Sequence, residues 1–504
     1  MNKIAMFFIS IELKWIRHLS FAVIFTLLSI SAAGQIQQSG RYETPLLDNE
    51  KDYYKVVSVQ EQGIILYRTL FYVAGNQIEI IRVDTTMQEV WRGFVQANVN
   101  EIVLFTYLKQ EVLYLLIKNR YNVRGDFAVV ALNIVSGSYI SYTVRNLIPF
   151  NPTEFTATNG AALVGGYFNY RPIILHYSFK LQQSKILPGF FNEPGELTQL
   201  KPNEDGSVDI IVSAKNLEKR KSLWIRNYDA EGNLVKTTIL EPEEKKNLIF
   251  ARSLKMPNGD QVISGVYGRY SEYSRGIFIA SVNVLGEYSI KYYQFADLEH
   301  FFNYMKARRE KRVKEKIERR RVKGKKIKFN YRVLVQELLP IGDQYILLGE
   351  AFYPHYTYPG NVQVFDGYQY THAVVIGFDQ NRKLIWDNSF EINDVKTYTL
   401  EKFVKIAVEK DRIILLYLYE NTIRSKIISG SEVLEGKSVD EMKLKFEGDE
   451  VKERETESSK LDHWYGSNFI AYGVQRVNNK KNPQVASTRK VFFINKITHD
   501  KTTP

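Results

Sequence analysis

Self-similarity at a period of about fifty residues constrains this chain more than any single motif, because a repeat unit that cannot bury both faces of its own sheet must stack on copies of itself. The unit opens with a short strand, turns through Asn-Gly or Gly-Asp and continues as an apolar strand. A loop leads to a second apolar strand ending in Asp or Asn, and a last strand, often opened by Trp, Tyr or Leu, closes it. One copy runs Asn258-Gly259-Asp260, 261–266, 276–283 and 288–295; others run Gly342-Asp343, 344–350, 373–379 and 384–390, and Asp205-Gly206, 208–214, 222–229 and 234–240. Asn-Gly and Asp-Gly suit tight hairpins, since both central residues of a type I′ turn need positive φ. Third-strand ends fall near Asp84, Asn133, Phe179, Asp229, Asn283, Asp379, Ile427 and Asn495, most of them 46 to 54 residues apart.

Abundant Tyr and Phe with short Val, Ile and Leu runs agree with strands. The expected fold is therefore all-β: a β-propeller of eight four-stranded blades over 35–504, with seven blades as the alternative and an open solenoid as the competitor. The last unit shows only three strands, near 461–465, 468–474 and 491–497, so its fourth is expected from 41–47, closing the ring and hiding the sheet edges. The Asn283 to Asp379 interval is about double the others and holds an insertion at 297–328.

The first 34 residues read as a secretory signal. Lys3, Lys14 and Arg17 precede an apolar and small-residue run at 21–31 that closes on Ala32-Ala33-Gly34, with cleavage expected near Gln35. The run is well short of the roughly 20 residues that span a bilayer, and no later stretch reads as a transmembrane helix. With no cysteine the chain carries neither disulfides nor an acylated N-terminal cysteine, which favours an exported bacterial protein, periplasmic or extracellular.

The unit from His372 to Trp386, with its apolar run, Asp379 and Trp386, resembles the repeats of bacterial quinone-type and related secreted propellers. That resemblance implies the propeller fold. Quinoprotein blades pair a Thr-Gly turn with a Trp at the end of the last strand; only Asp379 to Trp386 approaches this, with Asn381-Arg382 at the turn, while Gly137 and Gly232 keep a glycine but lack the Trp. No quinone, and no other cofactor, is expected. The Asp-box of sialidases, with Ser, Asp, Gly and Trp in register, is not completed by any unit.

Motifs for chemistry are absent. The seven histidines are scattered, with no His-Glu-x-x-His and no alternating-Asp calcium loop, so no metal site is expected. There is no Gly-x-Ser-x-Gly elbow, and Gly430 lies one residue too far from Gly436-Lys437-Ser438 for a phosphate loop. No catalytic residue is assigned, and the loop acids Asp126, Glu272 and Asp366 read as solvated.

In an up-and-down blade the loop after strand two and the link into the next blade share one face, and the unusual residues fall there. The loops hold Arg120 and Tyr121; Tyr170 and Arg171; Arg269, Tyr270 and Tyr273; and, in a long loop over 352–370, His355, Tyr356, Tyr358 and Tyr368. Exposed Tyr and Arg are enriched at binding hot spots. The insertion lies on the same face. The formal charge of +12 is largely local to it, since 301–328 carries 14 Lys and Arg against three Glu, the leader adds +2, and about −1 remains for the body. A helix over 297–321 would be about 37 Å long, resting through Phe302, Met305, Val313 and Ile317 and presenting Arg308, Arg309, Arg312, Arg319 and Arg320 outward. The reading is a non-catalytic binding or scaffold protein of the cell envelope. Its expected partner is an envelope protein, a polyanionic glycan or a lipid headgroup, and not nucleic acid. The alternative is a carbohydrate-binding or carbohydrate-active propeller, a lectin or a glycoside-cleaving enzyme.

Overall fold

The computed structural model describes residues 36–499, apart from 48–51, 73–74, 190–193, 271, 326, 361, 420–421, 440–448 and 482–485; the expected leader lies outside them. Its antiparallel sheets form eight blades. Blade 1 is Lys55–Ser58, Ile64–Leu70, Asn76–Val83 and Glu89–Ala97, and blade 2 is Glu101–Lys109, Val112–Asn119, Phe127–Asn133 and Tyr139–Val144. Blade 3 is Asn151–Ala157, Ala161–Phe168, Arg171–Ser178 and Gln183–Ile186, and blade 4 is Gly195–Pro202, Val208–Lys215, Lys221–Tyr228 and Leu234–Leu240. Blade 5 is Asn247–Lys255, Gln261–Gly268, Gly276–Val282 and Tyr288–Gln294. Blade 6 is Arg332–Ile341, Gln344–Thr357, Val364–Asp379 and Leu384–Glu391, with Lys396–Thr397 added beside its third strand. Blade 7 is Lys405–Glu409, Arg412–Tyr419, Thr422–Ser429 and Glu432–Val439.

Blade 8 joins the two ends of the described chain. Glu450–His463, Asn468–Asn478 and Thr488–His499 supply three strands and Ile36–Leu46 the fourth, with Ile36 opposite His499 and Leu46 opposite Lys490. The ring is therefore closed with eight blades, not seven, and it is not an open solenoid. Arg41 locks the closure: its guanidinium donates to Glu43 at 2.7 Å, to Asn495 at 3.0 Å and to Gln475 at 2.9 Å. The first strand of this blade, expected near 461–465, starts at Glu450.

Each interior strand is buried on both sides, and the two-residue period assigns alternate side chains to different neighbours. In blade 1, Ile64, Leu66, Ile81 and Val83 pack against blade 8, while Ile65, Tyr67, Ile78 and Ile80 pack against blade 2. The same division gives eight apolar clusters among the described residues, one at each blade interface.

At the rim, the turn between the third and fourth strands docks on the preceding blade. Trp91 of blade 1 donates its indole N–H to the Ile134 carbonyl of blade 2 at 3.1 Å and lies against Gly137, where a β-carbon would sit 3.4 Å from the ring. Trp386 of blade 6 lies against Gly430 of blade 7 in the same way. Gly137 thus does meet a tryptophan. That tryptophan comes from the blade before, so a search within one repeat misses it.

The insertion departs most from expectation. The helix, α1, spans Ala307–Val322, about 24 Å, and does not begin at 297. Asp297 instead closes a 3-10 turn, Phe295–Asp297, by accepting the Gln294 N–H at 2.8 Å. The buried Asp387 of blade 6 accepts the Glu299 and His300 N–H groups at 2.8 and 2.9 Å, and the first i-to-i−4 bond comes only at Glu310. Phe295, Leu298, Phe301, Phe302 and Ile317 are buried between blades 5 and 6, with Met305 and Val313 half-buried beside them. The helix is anchored in the core of an interface, where a light touch on the surface was expected. Its Glu310–Lys314 pair forms at 2.7 Å, but Arg319 donates to the Glu315 carbonyl in place of its carboxylate.

Beneath this segment lies His372, fully buried in an aromatic box. Tyr304 stacks on the imidazole at 3.9 Å, and Phe301 and Tyr331 meet it edge-on at 4.7 and 6.0 Å. Burial drives its pKa down to about 3.

Two outcomes follow from this anchoring. Phe301→Ala removes a core ring and is expected to cost about 3–5 kcal/mol in urea denaturation, with faster tryptic cleavage within α1. A base whose folded pKa is depressed contributes stability that is complete above its unfolded value and lost as pH falls toward the folded one. For His372 that window runs from 6.5 down to about 3. His372→Phe is expected to move the acid-unfolding midpoint to lower pH, as read by circular dichroism.

Candidate binding face

The second-to-third-strand loops and the interblade links lie on one face and are tied together by hydrogen bonds. Arg120 N–H donates to the Asn100 carbonyl at 3.0 Å, and Asn216 Nδ2 donates to Glu241 at 2.6 Å. Ser274 and Tyr331 exchange backbone bonds of 2.7 and 3.0 Å, fastening the loop of blade 5 to the end of the insertion. The three loop acids are similarly engaged. Asp126 accepts the Asn146 N–H at 2.8 Å, Glu272 pairs with Arg332 at 3.3 Å, and Asp366 accepts from His355 at 3.0 Å and Lys396 at 2.7 Å. They are on different blades and form no common site.

The predicted residues are distributed around this face and do not converge on one point. Tyr121 of blade 2 is exposed, with the Arg120 guanidinium 5.3 Å from its ring centre and 5.9 Å from that of Phe71. Tyr170 and Arg171 occupy the hairpin tip of blade 3, and Arg269, Tyr270 and Tyr273 the loop of blade 5. Arg308, Arg309, Arg312 and Arg319 are exposed on α1, and Arg320 is half-buried.

The expected long loop over 352–370 is instead a β-hairpin whose strands continue to Thr357 and restart at Val364. Its aromatics pack on one another across an irregular stretch of the hairpin: Phe352 on Tyr368 at 5.6 Å, Tyr368 on Phe365 at 5.0 Å, and Phe365 on Tyr356 at 5.8 Å. Tyr370 is buried in the interface with blade 7. Tyr358 remains exposed at the tip, and His355 is half-buried against Asp366.

Clefts open between the loops. One of about 1000 Å³ lies between blades 3 and 4, lined by Tyr167, Asn169, Tyr170, Glu196, Lys215 and Leu217 among others. A second, of about 410 Å³, is bounded by the link over 241–246, the loop of blade 5 and the end of the insertion; it gathers Lys245, Lys246, Arg269, Arg275 and Lys328 with Glu244. Of these, sequence reading singled out Arg269 and, through the charge of the insertion, Lys328. Lys245, Lys246 and Arg275 carry no motif of their own; pairing within blade 5 sets Asn247 opposite Gly268 and Tyr267 opposite Gly276, which brings the 241–246 link and both ends of the loop together.

Charges of both signs also meet at the ring's axis. Glu154 of blade 3 is within electrostatic reach of Arg252 of blade 5 and of Lys402, just before blade 7, an approach that blades so far apart make only across the centre. Burial raises the Glu154 pKa against the pull of those cations. Glu337 pairs with Lys402 at 3.2 Å, Glu401 with Lys460 at 3.7 Å and Asp462 with Lys405 at 2.9 Å.

No protein-family model matches the chain, and no curated protein matches it in sequence. Among solved structures, the β-propeller domain of the trilobed protease from Pyrococcus furiosus is similar at 10% identity, covering 80% of this chain and 96% of its own, with a TM-score of 0.36. An ulvan lyase solved with a bound saccharide is similar at 10% identity over 77% of this chain and 91% of its own, TM-score 0.40. The dihydro-heme d1 dehydrogenase NirN is similar at 9% identity over 92% of this chain and 79% of its own, TM-score 0.42. Likenesses at this level are of fold alone and carry no information on a ligand. The class defined by the chain's own architecture is the eight-bladed β-propeller.

Tyr170 stands out on the face. The two-residue turn Asn169-Tyr170 has φ of 49° and 61°, and Tyr170 is 85% exposed. A bulky side chain in the left-handed region is strained, whereas Asn is tolerated there. Tyr170→Asn is expected to stabilise the fold by about 0.5–1 kcal/mol in urea denaturation.

Proposed function

We propose that this chain is exported and acts as a non-catalytic binding protein of the bacterial cell envelope, engaging an acidic partner through its basic arm and the aromatic loop face. The anchoring of α1 carries the reading. With Ile317 buried, the helical period of about 100° per residue sets Arg308, Arg312 and Arg319 within about 40° of one another on the side turned away from the ring. A cationic row held rigidly on a loop face is suited to recognition, because little side-chain and segment ordering remains to oppose binding.

Export is tested by fractionation and N-terminal sequencing of the mature protein, which is expected to begin at Gln35. Binding is tested with the triple variant Arg308→Glu, Arg312→Glu, Arg319→Glu. On an immobilised acidic polysaccharide it is expected to elute at clearly lower salt than the wild type, since removing cations that pair with the polymer's anionic groups weakens binding and flattens its salt dependence. Equal elution of the two proteins would refute the arm as a docking element.

A further inference from the structure

We infer that the cleft between the 241–246 link, the blade 5 loop and the end of the insertion binds the carboxylate or sulfate groups of a linear acidic polysaccharide; this rests on the binding reading above and names the ligand class and the place. Five cationic side chains, Lys245, Lys246, Arg269, Arg275 and Lys328, line a space of about 410 Å³, and they outnumber the three nearby carboxylates, Glu244 in the lining and Glu243 and Asp297 beside it. Lys246 is held by Glu243 at 3.3 Å and lies 4.5 Å from the Tyr292 ring centre. The guanidinium of Arg275 is half-buried and has no hydrogen-bond or ion-pair partner among the described residues. Like charges gathered in a recess with low-dielectric walls raise the local potential and attract a counter-anion. The planar forks of Arg269 and Arg275 are matched to two-oxygen groups such as carboxylate and sulfate.

The walls are fixed before any ligand arrives. Asn247 Nδ2 donates to the Arg269 carbonyl at 2.7 Å, Ser274 is bridged to Tyr331, and the Arg332 guanidinium is 5.0 Å from the Tyr273 ring centre and paired with Glu272. A β-carbon at Gly268 would come within 2.0 Å of the Tyr273 carbonyl, so the loop folds down on its own strand. Half-buried Ile327 adds apolar surface to the lining, above the buried Tyr267.

A polymer fits better than a bilayer. The hairpin of blade 6 pairs from Phe352 and Tyr370 out to Thr357 and Val364 on the same face, about five residues or roughly 17 Å beyond the strands beneath it. A flat surface meets that hairpin before it reaches a recessed Arg275, whereas a linear chain passes beside it. Helix α1 ends at Val322, six residues before Lys328, and its row from Arg308 to Arg319 adds cations over about 16 Å.

The test uses the mature full chain and isothermal titration at 50 and 150 mM salt. The probes are a heparin-derived hexasaccharide, a galacturonate hexamer, a neutral dextran hexamer and vesicles of one part phosphatidylglycerol to three of phosphatidylcholine. The variants are Arg275→Gln, the exposed and therefore fold-neutral Lys328→Gln, their combination, and the arm row Arg308→Gln, Arg312→Gln, Arg319→Gln. The wild type is expected to bind at least one acidic hexamer and not the dextran. The double cleft variant is expected to lose at least tenfold in affinity, Lys328→Gln a smaller part of it, and the arm row less than the double variant. If an acidic hexamer binds but the cleft variants match the wild type while the arm row fails, the cleft is wrong and the broader reading stands. Binding to vesicles and to neither acidic hexamer overturns the polysaccharide. Binding to none of the probes overturns both.

Discussion

Ile64 and Leu66 face one neighbouring blade while Ile65 and Tyr67, on the same strand, face the other. That double commitment is the constraint behind the whole ring. A sheet that is apolar on both faces has no solvent side, so each blade is covered only when two others flank it, and the first and last are covered only when they meet. The pairing of Ile36–Leu46 with Thr488–His499 is the consequence. It places the buried Arg41 among Glu43, Asn495 and Gln475, residues drawn from both ends of the described chain. A buried guanidinium lowers the free energy of the fold only when its donors are met, which ties the polar closure to the apolar one.

One interface is built differently. Between blades 5 and 6 the chain inserts Phe295, Leu298, Phe301 and Phe302 into the seam before returning to the ring. Asp387 holds the backbone of that segment, and His372 is enclosed by it. The insertion is thus a part of the seam, and the basic helix emerging from it has a fixed bearing on the loop face. A helix of such charge with a single buried side chain would have little reason to hold still by itself, because an isolated helix of this length is marginal in water. Its position comes from the aromatic segment before it.

Much of this was legible in the residues, and the misses share a cause. The repeat, the blade count and the N-terminal strand of blade 8 follow from periodic local signals. The stretch 352–370 resembles a loop because its tyrosines sit among glycines and prolines, although Tyr356 and Tyr358, and Tyr368 and Tyr370, keep a strand spacing. Asp297 suits a helix N-terminus, yet its carboxylate closes a 3-10 turn. The tryptophan beside Gly137 lies in the preceding repeat, beyond the reach of a pattern confined to one unit.

Strand order, and which side chains alternate toward which neighbour, could be read without any coordinates, since each depends on residues close together along the chain. Which charges share a site could not. Arg275, Lys245 and Lys328 meet in one cleft because strand pairing in blade 5 and the Ser274–Tyr331 bridge bring their segments together, and Glu154 senses Lys402 across the axis because the ring closes. Electrostatic neighbourhood is a matter of distance in space, and no local pattern of residues encodes it.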